Sequence, residues 1–185
     1  MIEDTGGPVT LDALAARTGY SLHHLQRTFI EAVGISPKQY GDALRAGRLR
    51  RELRQGNGVA DAVFGAGYGS ASRVYEKSSA LFGMTPASYA AGGQGADIRF
   101  AVAQSPLGRV LVAATGKGLC MVSVGSDDTA LEQELRADFS KARIQRDDRS
   151  LGGTMVHIVD ILADGPPDPA LSLDVRATAF QWQVW

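Results

Sequence analysis

Residues 19–40 read GYSLHHLQRTFIEAVGISPKQY, and residues 67–89 read GYGSASRVYEKSSALFGMTPASY. The two stretches share a Gly-Tyr start, a Gly-x-Ser/Thr-Pro segment and a closing tyrosine. Gly34 and Gly83 lie 49 residues apart, whereas Gly19 and Gly67 lie 48 apart, so one residue is inserted at the second turn. The coincidence of so many special positions indicates an internal repeat that determines the fold of the first half.

The first copy has the pattern of a helix-turn-helix unit. Gly19 is suited to the sharp turn, and Ser21 is suited to cap the second helix. The inner face of that helix is predicted to carry Leu22, Leu25, Phe29 and Val33. The outer face is then left with the candidate DNA contacts His23, Gln26 and Arg27, together with Ser21 at the helix start. Arginine and glutamine can form paired hydrogen bonds with base edges, and a helix N-terminus can bind phosphate.

The second copy predicts a second reading helix with a less basic surface. Val59, Ala62 and Val63 are expected to face inward, and Ser70 is expected to cap the reading helix. The candidate DNA contacts here are Ser70, Ser72, Arg73 and Tyr75, and Glu76 lies beside them. We therefore expect the first unit to contact DNA more strongly than the second unit.

One helix of about residues 37–54 is predicted to connect the copies. Eighteen residues span about 27 Å, and successive major grooves on one face of DNA lie about 34 Å apart. This connector carries an arginine stripe consisting of Arg45, Arg48, Arg50, Arg51 and Arg54. Arginines on an exposed helix usually form only a solvated face, but the position between two reading helices favours phosphate contact. Arg45, Arg48 and Arg51 are the candidates for that contact.

After the Gly-rich stretch at residues 91–95, the spacing of apolar residues changes from the pattern of a helix to the alternation of a strand. Alternating runs predict three antiparallel strands, which are followed by helices over residues 128–139 and about 150–163. A fourth strand is predicted at residues 171–175. The expected fold class is therefore multi-domain, with an all-α double helix-turn-helix domain followed by an α+β subdomain.

Composition excludes several classes of protein. The chain has 185 residues and a formal net charge of −1, and its only cysteine, Cys120, cannot form an internal disulfide. No Cys/His cluster has metal-ligand spacing, so neither a metal nor another cofactor is expected. No apolar run is long enough to span a bilayer, and the first residues do not resemble a signal peptide. We expect a cytoplasmic protein that does not bind membranes.

The repeat, followed by the segment RLRREL at residues 48–53, resembles the AraC-type DNA-binding domain. Residues 66–73 and 83–86 are similar, more narrowly, to the Ada-like regulators of the bacterial adaptive response to DNA alkylation. Residues 105–120 and 174–185 resemble the N-terminal, ribonuclease-H-like part of alkylguanine-DNA alkyltransferases. On this basis we assign residues 1–92 to the DNA-binding domain and residues 93–97 to a linker. Residues 98–176 are assigned to the ribonuclease-like subdomain, and residues 177–185 to the start of a C-terminal alkyltransferase subdomain.

The resemblance implies a transcription regulator with double-stranded DNA as its partner, and RNA polymerase as a further candidate partner. It also implies repair chemistry, in which a cysteine in a Pro-Cys-His-Arg motif accepts an alkyl group from guanine. The sequence contains no such motif, so we expect no methyltransferase activity and assign no catalytic residue. Cys120 has no adjacent histidine or arginine and is expected to be a small buried hydrophobe. The alternative function is a methylated-DNA–protein-cysteine methyltransferase whose catalytic part is missing here.

Overall fold

The computed structural model describes residues 15–16 and 19–163. The strand predicted at 171–175 and the segment at 177–185 lie outside these residues. Within the described part, no helix is both long and apolar enough to cross a membrane.

The first half forms two helix-turn-helix units on either side of a long helix. Its helices are α1 (Leu22–Val33), α2 (Pro37–Arg54), α3 (Val59–Gly65), α4 (Ala71–Glu76), α5 (Ser78–Phe82) and α6 (Pro86–Ala90). Residues 15–16 are also helical and precede the turn at Gly19. The connector α2 has the bounds expected from the sequence, because Ser36 and Gln39 form a capping box and Pro37 occupies the first turn.

The repeated sequence motif is a helix stop followed by a helix start. Gly34 and Gly83 end α1 and α5 with φ values of +83° and +61°, a conformation that favours glycine. The next helix is then capped by a hydroxyl, because Ser36 accepts from the amide of Gln39 and Thr85 accepts from the amide of Ser88. The repeat in the sequence therefore corresponds to two copies of the same helix end and helix cap.

The second reading element differs from the sequence expectation in two respects. It is divided into α4 and α5 at Lys77, which has φ −95° and ψ 4°. Ser70 lies at the N-cap position with extended backbone, but its side chain accepts no capping hydrogen bond, so the predicted side-chain cap is wrong. Helices of six and five residues are too short to be stable alone and depend on tertiary packing.

The second half contains the predicted three-stranded meander and one strand that was not predicted. Strands β1 (Asp97–Ser105), β2 (Gly108–Thr115) and β3 (Gly118–Gly125) are antiparallel neighbours. Strand β4 (Arg143–Arg146) pairs in parallel with β1, which gives the order β3-β2-β1-β4. Its sequence, RIQR, is mostly exposed and too short to show an alternating pattern. The predicted helices are α7 (Asp128–Asp138) and α8 (Gly152–Ala163).

The two faces of the sheet are covered by different parts of the chain. On one face, Ala101, Val110 and Val112 pack with Met155 and Ile158 of α8. On the other face, the sheet packs against α7 and against the second helix-turn-helix unit in one continuous core. That core includes Phe82, Met84, Tyr89, Phe100, Leu111, Cys120, Leu135 and Phe139. The second unit and the sheet thus bury each other's apolar surface.

The Gly-rich stretch between the halves is packed into the structure. Gly93 is buried, and a Cβ atom there would lie 2.9 Å from the Cβ of Ala142. The carbonyl of Gly92 accepts a hydrogen bond from the amide of Lys141, with the two atoms 2.9 Å apart. The residues assigned to a linker therefore join the two halves without separating their cores.

Candidate nucleic-acid interface

The first reading helix, α1, presents the expected polar face to solvent. Ser21 caps the helix, since its hydroxyl accepts from the amide of His24 at 3.3 Å. His23, Gln26 and Arg27 are exposed and line one open depression together with Ile30 and Glu31. This arrangement leaves three hydrogen-bonding side chains available on one helical face.

Arg27 is held only loosely by its acidic neighbour. Its Nε lies 3.7 Å from the carboxylate of Glu31, and both side chains are more than half exposed. An exposed ion pair of this kind contributes at most about 1 kcal/mol, because water and salt screen it. A phosphate or a base edge could therefore replace Glu31 at little cost.

A small aromatic cluster attaches α1 to the connector. The ring of Phe29 meets the ring of Tyr40 edge-on, with centroids 5.6 Å apart, and Val33 and Ile35 are buried beside them. Tyr40 and Tyr89, the tyrosines that close the two copies of the repeat, are both buried. Leu22, which was expected to face inward, is 44% exposed, so that part of the prediction is wrong.

The arginine stripe of the connector divides into two groups that differ in their contacts. Residues three apart on a helix share a face, so Arg45, Arg48 and Arg51 lie along one side of α2. Arg50 and Arg54 differ from these three in that their side chains contact other elements, at Leu81 and at Asp138. Arg50 and Arg54 therefore contribute to packing, and Arg45, Arg48 and Arg51 stay the predicted candidates for phosphate contact.

Arg50 and Arg54 have defined partners on other elements. The guanidinium of Arg50 donates to the carbonyl of Leu81, and its burial lowers the pKa of this side chain from its ordinary value. Arg54 lies 2.6 Å from the carboxylate of Asp138 and stacks over the ring of Tyr89. Such contacts tie the connector to the core of the protein.

The other three arginines, Arg45, Arg48 and Arg51, differ in their surroundings. Arg45 is half-buried and forms an ion pair with Asp42, one turn earlier on α2. Arg48 is half-buried as well, whereas Arg51 is exposed. Arg51 is therefore the connector arginine that a phosphate could approach with the least rearrangement.

The second reading element presents a smaller polar surface. Ser72, Arg73 and Tyr75 of α4 are exposed, whereas Ser70 is half-buried. Val74 is completely buried and anchors the helix in the core. Lys77, at the junction of α4 and α5, is exposed as well, and its basic side chain was not singled out from the sequence. A lysine at a helix end is common on any protein surface, which explains why the sequence carried no signal.

The structure offers no accepting thiol among the residues it describes. Cys120 lies in β3 with 1% of its surface exposed, and burial raises the pKa of its thiol to about 12. A thiol of this kind is protonated at neutral pH, and its burial agrees with the expectation of a small buried hydrophobe. Over residues 15–16 and 19–163, no group of three metal-ligating side chains is found.

Comparison with known families matches both halves of the chain. Residues 14–92 match the family described as "Helix-turn-helix domain". Residues 98–157 match the family described as "6-O-methylguanine DNA methyltransferase, ribonuclease-like domain". No solved structure shows a significant match.

Comparison with curated proteins finds relatives that contain both parts. The chain is 37% identical over 178 residues to the bifunctional transcriptional activator/DNA repair enzyme Ada of Escherichia coli. It is 35% identical to the regulatory protein ada of Salmonella typhimurium over the same length. Each alignment covers 96% of this chain and 50% of the relative, so the chain spans about half the length of these proteins.

A third relative covers only part of the chain. The uncharacterised HTH-type transcriptional regulator YbfI of Bacillus subtilis is 36% identical over 66 residues, which are 36% of this chain and 24% of YbfI. The chain is thus similar to the Ada proteins over 96% of its length, with a helix-turn-helix domain followed by the ribonuclease-like domain of the 6-O-methylguanine DNA methyltransferases.

Proposed function

We propose that this chain is a sequence-specific DNA-binding transcription regulator of the Ada type, acting in the adaptive response to DNA alkylation. The observation that carries the proposal is the exposed face of α1, where His23, Gln26 and Arg27 lie together on a capped helix. The two relatives that align over most of the chain are named as an activator and as a regulatory protein. As an activator, the bound protein would contact RNA polymerase, and like its DNA target it would be cytoplasmic.

The two units would bind adjacent major grooves on the same face of the duplex. The α1 surface would read bases through Gln26 and Arg27, with Ser21 and His23 at the phosphate edge. The second unit would contribute Ser70, Ser72, Arg73 and Tyr75. The connector would place Arg45, Arg48 and Arg51 along the phosphates between the grooves. In this proposal residues 1–92 form the DNA-binding domain, residues 93–97 the junction and residues 98–176 the ribonuclease-like subdomain, with residues 177–185 leading into the next subdomain.

A mobility shift with duplex DNA of mixed sequence at several salt concentrations tests the proposal. Binding should weaken steeply as salt rises, because each neutralised phosphate releases counterions. Arg27→Ala and Arg51→Ala should weaken binding, and each lost phosphate contact should reduce the salt slope by about 0.9. Arg136→Ala is the matched control, since Arg136 is exposed on α7, pairs with Glu132 and changes the net charge equally.

Two outcomes would contradict this function. The first is an affinity that does not change with salt, and the second is an equal loss of binding in Arg136→Ala and Arg27→Ala. The latter result would mean that only net charge matters.

The second candidate function is alkyl transfer, which the match of residues 98–157 favours. A transfer would require an accepting thiolate, and Cys120 does not supply one because it is buried and protonated. Incubation with DNA that carries a labelled methyl group on guanine O6 should therefore leave Cys120 unlabelled. Label on Cys120 would establish this second function instead.

A further inference from the structure

The β2–β3 hairpin makes backbone contact with the second reading element. Gly83, at the end of α5, lies so close to the hairpin that a Cβ atom there would be 2.3 Å from the carbonyl oxygen of Gly118. In the other direction, a Cβ atom on Gly118 would lie 2.7 Å from the carbonyl oxygen of Ser79. Two glycines are thus required for one close approach between the ribonuclease-like domain and the helix-turn-helix unit.

A polar contact reinforces this approach. The hydroxyl of Thr115, at the end of β2, donates a hydrogen bond to the carbonyl of Gly83. The same hydroxyl accepts from the amide of Lys117 within the hairpin turn. Thr115 therefore links the shape of the hairpin to the end of α5.

The connector holds the same short helix from another direction. Arg50 of α2 donates to the carbonyl of Leu81 in α5, and Arg54 bridges to Asp138 at the end of α7. The ring of Tyr89 packs between Phe82 of α5 and Phe139, with centroid distances of 4.9 and 5.6 Å. Helix α5 is thus fixed between the connector and the ribonuclease-like domain.

From these contacts we propose that the ribonuclease-like domain is a structural part of the DNA-binding surface. Its β2–β3 hairpin positions the second reading element, α4 and α5, on DNA. The proposal rests on the DNA-binding function proposed above. The physical reason is that α4 and α5 are too short to hold their own conformation, so their orientation depends on the surface against which they pack. Thr115 and Gly118 are positioning residues, which touch no DNA themselves.

Five substitutions in the full chain separate this role from general stability, namely two at the contact, the conservative Thr115→Ser and two glycine controls. Gly118→Ala should push Ser79 away, and Thr115→Val should remove the hydrogen bond to Gly83. Gly116→Ala is a control in the same hairpin, because a Cβ atom there meets nothing within 4 Å. Gly108→Ala is a control for backbone strain, since Gly108 also has a positive φ and a close backbone contact, but with Gly125 inside the sheet.

The first measurement is amide hydrogen exchange without DNA. Gly118→Ala and Thr115→Val should lose protection over Ser78–Phe82 at least tenfold more than over Leu22–Val33. Gly116→Ala, Gly108→Ala and the conservative variant Thr115→Ser should show no such selective loss. Unchanged protection of Ser78–Phe82 in both Gly118→Ala and Thr115→Val would overturn the proposal. If Gly118→Ala unfolds altogether, the proposal is tested by Thr115→Val alone, which should lose protection over Ser78–Phe82 while Thr115→Ser keeps it.

The second measurement compares the affinity per site for duplexes of about 12 and about 24 base pairs, of which only the longer offers two successive major-groove segments. The unaltered chain should gain at least tenfold from the longer duplex, and Thr115→Val should lose most of that gain while keeping its affinity for the shorter one. If Thr115→Val keeps the gain in affinity from the longer duplex, the hairpin does not position the second reading element on DNA. If the unaltered chain binds neither duplex, the proposed function fails, whereas hydrogen exchange still decides whether the hairpin positions the unit.

Discussion

Arg50 of the connector helix donates two hydrogen bonds to the main-chain carbonyl oxygen of Leu81, from its Nε at 3.2 Å and from its Nη2 at 2.6 Å. This contact joins residues 31 positions apart in the sequence. It also separates Arg50 from the other arginines of the connector and makes it part of the packing of α5.

We expect Arg50→Met to destabilise the protein by about 1–3 kcal/mol, because it leaves the carbonyl of Leu81 without this donor in a partly buried place. Arg51→Met is the matched control on the next position of the same helix. Arg51 is exposed, and a surface substitution of this kind changes stability by only about 0.5 kcal/mol. Urea unfolding followed by circular dichroism measures both. Equal stability of the two variants would show that the Arg50 contact contributes nothing.

We expect Gln26→Ala to relax the sequence preference of DNA binding while leaving the salt dependence nearly unchanged. A glutamine that makes paired hydrogen bonds with one base discriminates by about 1–3 kcal/mol, whereas it carries no charge to neutralise phosphate. Selection of bound duplexes from a random pool measures the preference. Thr28→Ala is the control, because Thr28 is exposed on the same helix but two residues away and so on a different face. A preference that is equally altered by both variants would argue against a reading role for Gln26.

We expect Cys120 to resist iodoacetamide in the folded protein at about pH 8. With a pKa of about 12, the thiolate fraction at this pH is about 0.01%, and burial further limits access. In a denaturant the thiol should be modified rapidly, as mass spectrometry can follow. Fast modification of the native protein would mean that β3 opens or that the thiol is not buried.

We expect acid to weaken the contact between β2 and α7. The guanidinium of Arg109 hydrogen-bonds to Asp128 and lowers the pKa of that carboxyl from its ordinary 3.8. Because the folded-state pKa is lower than the unfolded one, the contact adds stability above the ordinary pKa and loses it as pH falls through the lowered value. Asp128→Asn should therefore make stability less dependent on pH in the acid range, measured by thermal unfolding from about pH 2 to 6.

The control for this measurement is Glu132→Gln. Glu132 lies on the same helix and pairs with the exposed Arg136 of its own helix. The prediction is contradicted if the acid limb of the stability curve is the same in Asp128→Asn as in the unaltered chain.

The local geometry of the first half could be predicted from the sequence alone. The glycine, hydroxyl and proline of each Gly-x-Ser/Thr-Pro segment encode a helix end, a cap and a first turn, all within four residues. The three strands of the meander could be predicted for the same reason, since alternation and turn residues are local signals. The exposed face of α1 followed from helical periodicity.

The arrangement of these elements was decided by the tertiary structure. Sequence spacing could not show that Arg50 and Arg54 turn towards Leu81 and Asp138, because their partners lie 31 or more residues away and leave no local pattern. Strand β4 escaped prediction because it is short and polar, and only its pairing with β1 makes it a strand. The repeat by itself determined that the protein has two helix-turn-helix units, whereas only packing decided that the second unit shares a hydrophobic core with the sheet.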